Sequence, residues 1–273
     1  MEIDLGLYGP DSVTWRVHGE PIIAVAGIRA LYLQALHPRA IAGMSQNSDY
    51  RSDPWGRLHR TVQYVVTVIY GTTAQARAAG RRVRARHTRL RAVDPDTGET
   101  FRVDEPDLLR WVHVTEVESF LTTARRAGVR LTDADCDRYY DEQRRSAELV
   151  GLDPSTVPGS AAEIDEYYTA IRPKLHLTKD SASGALFLAA PPMPWHLGLT
   201  PVRLAWLGVA GVAFGLLPAW ARRIYGMPGL PTTDLSASLS VRALRRSLAM
   251  VPVRALQDPI HQDALRRAKA LNG

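Results

Sequence analysis

One segment of this chain can only be a helix surrounded by other helices. In LLRWVHVTEVESFL (residues 108 to 121), within a stretch that Pro106 opens and that runs to about Arg126, apolar residues fall on nearly every side of a helix. Such a helix has no solvent face and must be central. The rest of the chain supplies its neighbours. Pro21 opens the apolar run IIAVAGIRALYLQAL, which ends where His37 precedes Pro38, because the residue before proline is pushed out of helical conformation. Asp53 and Pro54 form an N-cap and first-turn pair for a helix running to about Tyr70, where Gly71 can close it. Thr72 and Gln75 make a capping box for the next, which is expected to reach about Val93. Thr132 caps a helix over 133 to 150, Ser160 and Glu163 complete a second capping box, and a last helix begins near Asp234. VDPDTGETFRV is the one strand candidate, a turn with a short hairpin. The expected fold is all-α. With no repeat, low-complexity tract or long linker, a single multi-helix domain over 1–273 is expected.

Composition removes several classes of function. The single cysteine, Cys136, excludes an intramolecular disulfide framework and a cysteine-only metal cluster, which favours a reducing, cytoplasmic location. MEIDLGLYGP lacks the basic flank and apolar run of an export signal. The uncharged run LAWLGVAGVAFGLL, bracketed by Arg203 and Pro218, falls short of the ~20 apolar residues a spanning helix needs. It reads as a buried core helix, with a peripheral membrane contact or a dimer surface as alternatives. The proline-rich link APPMPWHLGLTP precedes it. Net charge is +6 and almost all the basic residues are arginine. Arginine runs of this kind are mostly solvated helix faces, so no nucleic-acid partner is expected.

Three groups of side chains carry possible chemistry. In the helix from Thr72, residues Ala76, Ala79, Gly80, Val83, His87 and Leu90 recur at three- and four-residue spacing as the one apolar stripe, while the many arginines fall mainly on other faces. His87 therefore points inward beside small residues that leave room for a bulky neighbour. A buried imidazole needs a hydrogen-bond partner or a metal, since leaving it unpaired costs about 1–3 kcal/mol. In the preceding helix Arg57, Arg60, Thr61 and Tyr64 share a flank bordering the apolar stripe, a set able to hold an anionic ligand such as a carboxylate or propionate, or else a surface strip of arginine stems. On the central helix His113 and Glu116 stand at i and i+3. They form a polar island or, less in keeping with the reversed order and the lack of a second motif, half of a di-iron site.

These residues lie in a run of short motifs that resembles a known family. WRVHGEPIIAVAGIRALYLQALHPRAIAGM, DPWGRLHRTVQYV, the histidine of VRARHTRL, LLRWVHVTEVESFL and FGLLPAWARRIYG are similar, in that order, to the mpaB and rubber-oxygenase catalytic-domain family. The likeness covers about Trp15 to Gly226, with the helices of 234–273 packed on that core. The resemblance implies an all-helical fold with a globin-like core, haem b as cofactor, and oxidative cleavage of carbon–carbon double bonds with dioxygen. It implies that His87 matches the proximal ligand to the haem iron, and that Arg57 and Thr61 match polar residues of the distal side. Arg60, Tyr64 and His113 are expected to help hold the cofactor, His113 by meeting a ligand or propionate. Rubber oxygenases carry a lysine where Arg60 stands, able to take the sixth iron position. A guanidinium stays protonated and has no lone pair to offer iron, so Arg60 is not a distal ligand. The acidic residue proposed as catalytic base in rubber oxygenases has no match here, and Asp49 and Glu116 are the candidates. The expected function is a haem-b-dependent oxygenase acting on an apolar, unsaturated or isoprenoid substrate. A haem carrier or gas sensor and an arginine-rich nucleic-acid-binding protein are the alternatives.

Overall fold

A computed structural model describes residues 3–193, 200–251 and 258–271. Among them are thirteen α-helices and one two-stranded sheet, so the fold is all-α. The helices are α1 (Val13–His18), α2 (Ile23–Gln34), α3 (Pro38–Asn47), α4 (Pro54–Tyr70), α5 (Thr73–His87), α6 (Pro106–Arg126) and α7 (Asp133–Val150). After them come α8 (Ala161–Ile171), α9 (Lys179–Ala189), α10 (Pro201–Gly215), α11 (Ala219–Ile224), α12 (Pro231–Leu248) and α13 (Pro259–Leu271). The strands β1 (Arg91–Val93) and β2 (Thr100–Arg102) lie between α5 and α6. Residues 194–199 of the proline-rich link fall outside the described residues.

Helix α6 is central because its sequence has no side to give to water: Trp111, Val114 and Ala124 are fully buried. α2 makes the most extensive contact with it, and α1, α3, α7 and α12 also touch it. A buried ion pair fixes the α2–α6 contact. Arg29 donates to both carboxylate oxygens of Glu118 at 2.6 and 2.9 Å, to the Ser119 hydroxyl at 2.6 Å and to the Leu216 carbonyl at 3.0 Å. Glu142 on α7 accepts from the backbone N–H groups of Val13 and Thr14 at the start of α1, supplying an acceptor the short helix cannot provide itself. α5 approaches α7 through Gly80, where an added Cβ would lie 2.8 Å from Leu149. The bulky neighbour that the small residues accommodate is thus another helix.

Several local signals behave as read. Asp53 caps α4 with Pro54 in its first turn, Gly71 follows its end, and the Thr72–Gln75 capping box opens α5. Others need correction. α5 ends at His87 rather than near Val93, because Arg91–Val93 pairs antiparallel with Thr100–Arg102 and turns Ala92 and Phe101 inward. Helix propensity gives way there to hairpin pairing. Ser160 accepts from Glu163 N–H, but the Glu163 carboxylate turns to the Gly159 N–H at 2.6 Å, so that box is half made. The last two helices are α12, which starts at Pro231 with Asp234 in its first turn, and α13. α10 is core only in its C-terminal half: Ala210 and Ala213 are buried, whereas Val202, Leu204 and Leu207 are exposed. The reading of that run as a buried core helix fails for its first two turns, since a uniformly apolar segment carries no periodicity to mark which part is covered.

Candidate functional site

A cavity of about 520 Å³, with mainly apolar walls, opens between α3, α4, the end of α5, α6 and α9. All of the residues singled out on the sequence, Arg57, Arg60, Thr61, Tyr64, His87 and His113, line it. The reason is local geometry. On α4, positions 57, 60, 61 and 64 recur at helical spacing and form one flank, and that flank is turned to the cavity. On α5 the apolar stripe divides: Ala76, Ala79 and Gly80 are buried in packing, and Val83, His87 and Leu90 reach the cavity wall.

His87 ends α5 partly buried, and its Nδ1 is buried with no hydrogen-bond partner among the described residues. Burial depresses its pKa; Asp104 opposes the shift, and Arg57 and Arg86 reinforce it. The imidazole is therefore neutral at pH 7 and keeps a lone pair. Arg57 has no carboxylate partner among the described residues. Its guanidinium donates to the Thr61 hydroxyl, which in turn donates to the Arg57 carbonyl at 3.0 Å. Burial lowers the Arg57 pKa, as do the like charges of Arg60 and Arg86, while Asp49 acts in the opposite sense.

Arg60 differs, although it lines the same cavity. It donates to both oxygens of Asp49 at 3.0 Å and to Asp53 at 3.0 Å, an exposed cluster that occupies its fork. The same contacts engage Asp49, one of the two carboxylates considered as a base. Tyr64 lies one helical repeat beyond Arg57, and burial raises the pKa of its phenol. At another part of the wall His113 is buried, its Nε2 has no partner among the described residues, and burial pulls its pKa down to about 4. Glu116, one turn on, has its pKa raised by burial to about 7.

Some lining residues were not singled out beforehand. Trp55 and Trp206 meet edge to face at 5.1 Å, and their indole N–H groups donate to the carbonyls of Pro192 and Leu188. This clasp ties the start of α4 to α10 and the end of α9 beside the cavity. Both tryptophans are visible in the sequence, but nothing local signals that residues so far apart pair. Arg86 adds a further cation. Among the described residues no group of three or more His, Cys, Asp or Glu side chains is poised for a metal ion.

The fold is thus all-helical, with an apolar cavity edged by the His87 imidazole and the Arg57 guanidinium. The chain belongs to the family described as ER-bound oxygenase mpaB/B′/rubber oxygenase, catalytic domain, whose model matches residues 15–250. The match reaches beyond Gly226, through all of α12 to residue 250. No curated protein and no solved structure matches the chain. The family is an oxygenase catalytic domain, and no helix among the described residues is long and apolar enough to cross a membrane.

Proposed function

We propose that the protein is a haem-b-dependent oxygenase that acts with dioxygen on an apolar, unsaturated substrate, with His87 as the iron ligand. The observation that carries this reading is the His87 imidazole at the wall of an apolar cavity in a member of an oxygenase family, its Nδ1 without a partner among the described residues and its pKa lowered by burial. The donor set fits haem b. A macrocycle of that kind needs one axial base, apolar walls and cations for two propionates, and His87, the cavity lining and Arg57 with Arg86 are of those kinds. When bound, haem would supply the redox chemistry that lets dioxygen react with a carbon–carbon double bond.

The chain's own residues do the rest. His87 contributes a neutral nitrogen lone pair, kept unprotonated by burial. Arg57 holds fixed N–H donors where negative charge comes to rest, whether of a propionate or of the reacting oxidant, and desolvation raises the value of those donors. Thr61 orients Arg57 by taking one of its N–H groups. Arg60, held by Asp49 and Asp53, braces the start of α4 rather than the ligand. The aliphatic and aromatic walls exclude water and favour an apolar chain.

Oxygen uptake tests the activity. With an unsaturated isoprenoid chain as substrate, the protein as purified should consume dioxygen, and His87→Ala should not. Bound haem with no uptake on any unsaturated chain would overturn the oxygenase reading in favour of a haem carrier or gas sensor. Uptake that survives His87→Ala would overturn the assignment of His87.

A further inference from the structure

We infer that the part of the cavity bounded by His113 and Glu116 is a subsite for an uncharged hydroxyl group carried by an otherwise apolar substrate. The inference rests on the cavity being a substrate site, and narrows the substrate from a plain hydrocarbon to an alcohol-bearing lipid. His113 and Glu116 stand at i and i+3 on α6 and both line the cavity. His113 Nε2 is buried and makes no hydrogen bond among the described residues, and for Glu116, which lines the same stretch of wall, burial is the cause of the raised pKa, with no cation acting against it among the described residues. Two such groups side by side in an apolar cavity cost stability unless something fills their valences.

The chemistry of that filler is restricted. Burial holds His113 neutral, with a pKa near 4, and lifts Glu116 to about 7, so near neutral pH the site presents a neutral imidazole and a carboxyl that is substantially protonated. A protonated carboxyl donates and a neutral imidazole can accept, and a hydroxyl answers both at once. A carboxylate, including a haem propionate, would meet no cation there and would face Glu116. An ammonium would need Glu116 fully ionised in a site with little else to solvate it. The site also stands apart from the cation end. Tyr64, seven residues beyond Arg57 and so about 10 Å further along α4, is near enough for Glu116 to act on its pKa, whereas Glu116 is not among the groups acting on Arg57 or His87. A substrate anchored by its hydroxyl at Glu116 would lay its chain towards His87.

The test is binding to the purified full-length protein, by calorimetry or tryptophan fluorescence, of decanol, decane, decanoate and decylamine. Decanol should bind about tenfold tighter than decane, the worth of one good hydrogen bond. Glu116→Gln, whose amide both donates and accepts, should keep that preference; His113→Leu and Glu116→Leu should bring decanol down to decane while leaving decane binding intact. Equal binding of decanol and decane, or tightest binding of decanoate or decylamine, would overturn the inference. So would a decanol preference that survives both leucine variants. Haem content, read from the absorption spectrum of each preparation, keeps this result separate from the haem proposal.

Discussion

Arg29 and Arg57 are both arginines taken out of water, and they are treated in opposite ways. Arg29, fully buried between α2 and α6, spends its donors on Glu118, Ser119 and a backbone carbonyl. Arg57, partly buried at the cavity, has a threonine hydroxyl and, among the described residues, no carboxylate. An interior cation that serves the fold has its charge answered by the fold itself. Arg57 and the His87 imidazole stand beside the cavity with no such answer among the described residues, and that is what the proposed ligand would supply.

Breaking the two regions should give different losses, the largest at Arg29. Arg29→Ala strands Glu118 without its counter-charge and should destabilise the protein by about 3–5 kcal/mol in denaturant titration. Glu116 tests the cavity side through pH. Its folded pKa, about 7, lies above its ordinary value of 4.5, so the native state binds the extra proton between those values and stability falls as pH rises from 4.5 through 7. Glu116→Gln should remove that component, worth at most about 3 kcal/mol above pH 7 and less with water in the cavity. The wild type and the variant should therefore diverge on the alkaline side in thermal melts. At Gly80 an added methyl meets both the side chain and the carbonyl of Leu149 at 2.8 Å, so Gly80→Ala should part α5 from α7 and cost about 1–3 kcal/mol, again by denaturant titration. Arg57→Leu should have the smallest effect on the ligand-free fold, within about 1 kcal/mol, because no carboxylate loses its partner. Its effect should fall on ligand affinity. A loss at Arg57 as large as that at Arg29 would erase the distinction.

Much of this was legible from local signals. The Asp53–Pro54 start, the Thr72–Gln75 box and the stripe bearing His87 are encoded within single helical turns, and the flank of Arg57, Thr61 and Tyr64 follows from helical spacing alone. Partnership was not legible. Nothing in the sequence says that Asp49 goes to Arg60 and leaves Arg57 without an acid, or that Gly80 faces Leu149 instead of a ligand. Hairpin pairing also decided the end of α5, where β1 claims residues that read as helix. The exposed start of α10 was hidden because an evenly apolar run has no face to distinguish. Leu204, 72 % exposed, is the clearest case.

The central claim is that His87 completes its valence with haem iron. The most direct measurement is the absorption spectrum and pyridine haemochrome of the purified protein, with and without added haem, beside His87→Ala. We expect a Soret band and one haem b per chain in the parent, with the band lost or shifted in the variant. A colourless protein that takes up no added haem, or a Soret band identical in His87→Ala, would contradict it.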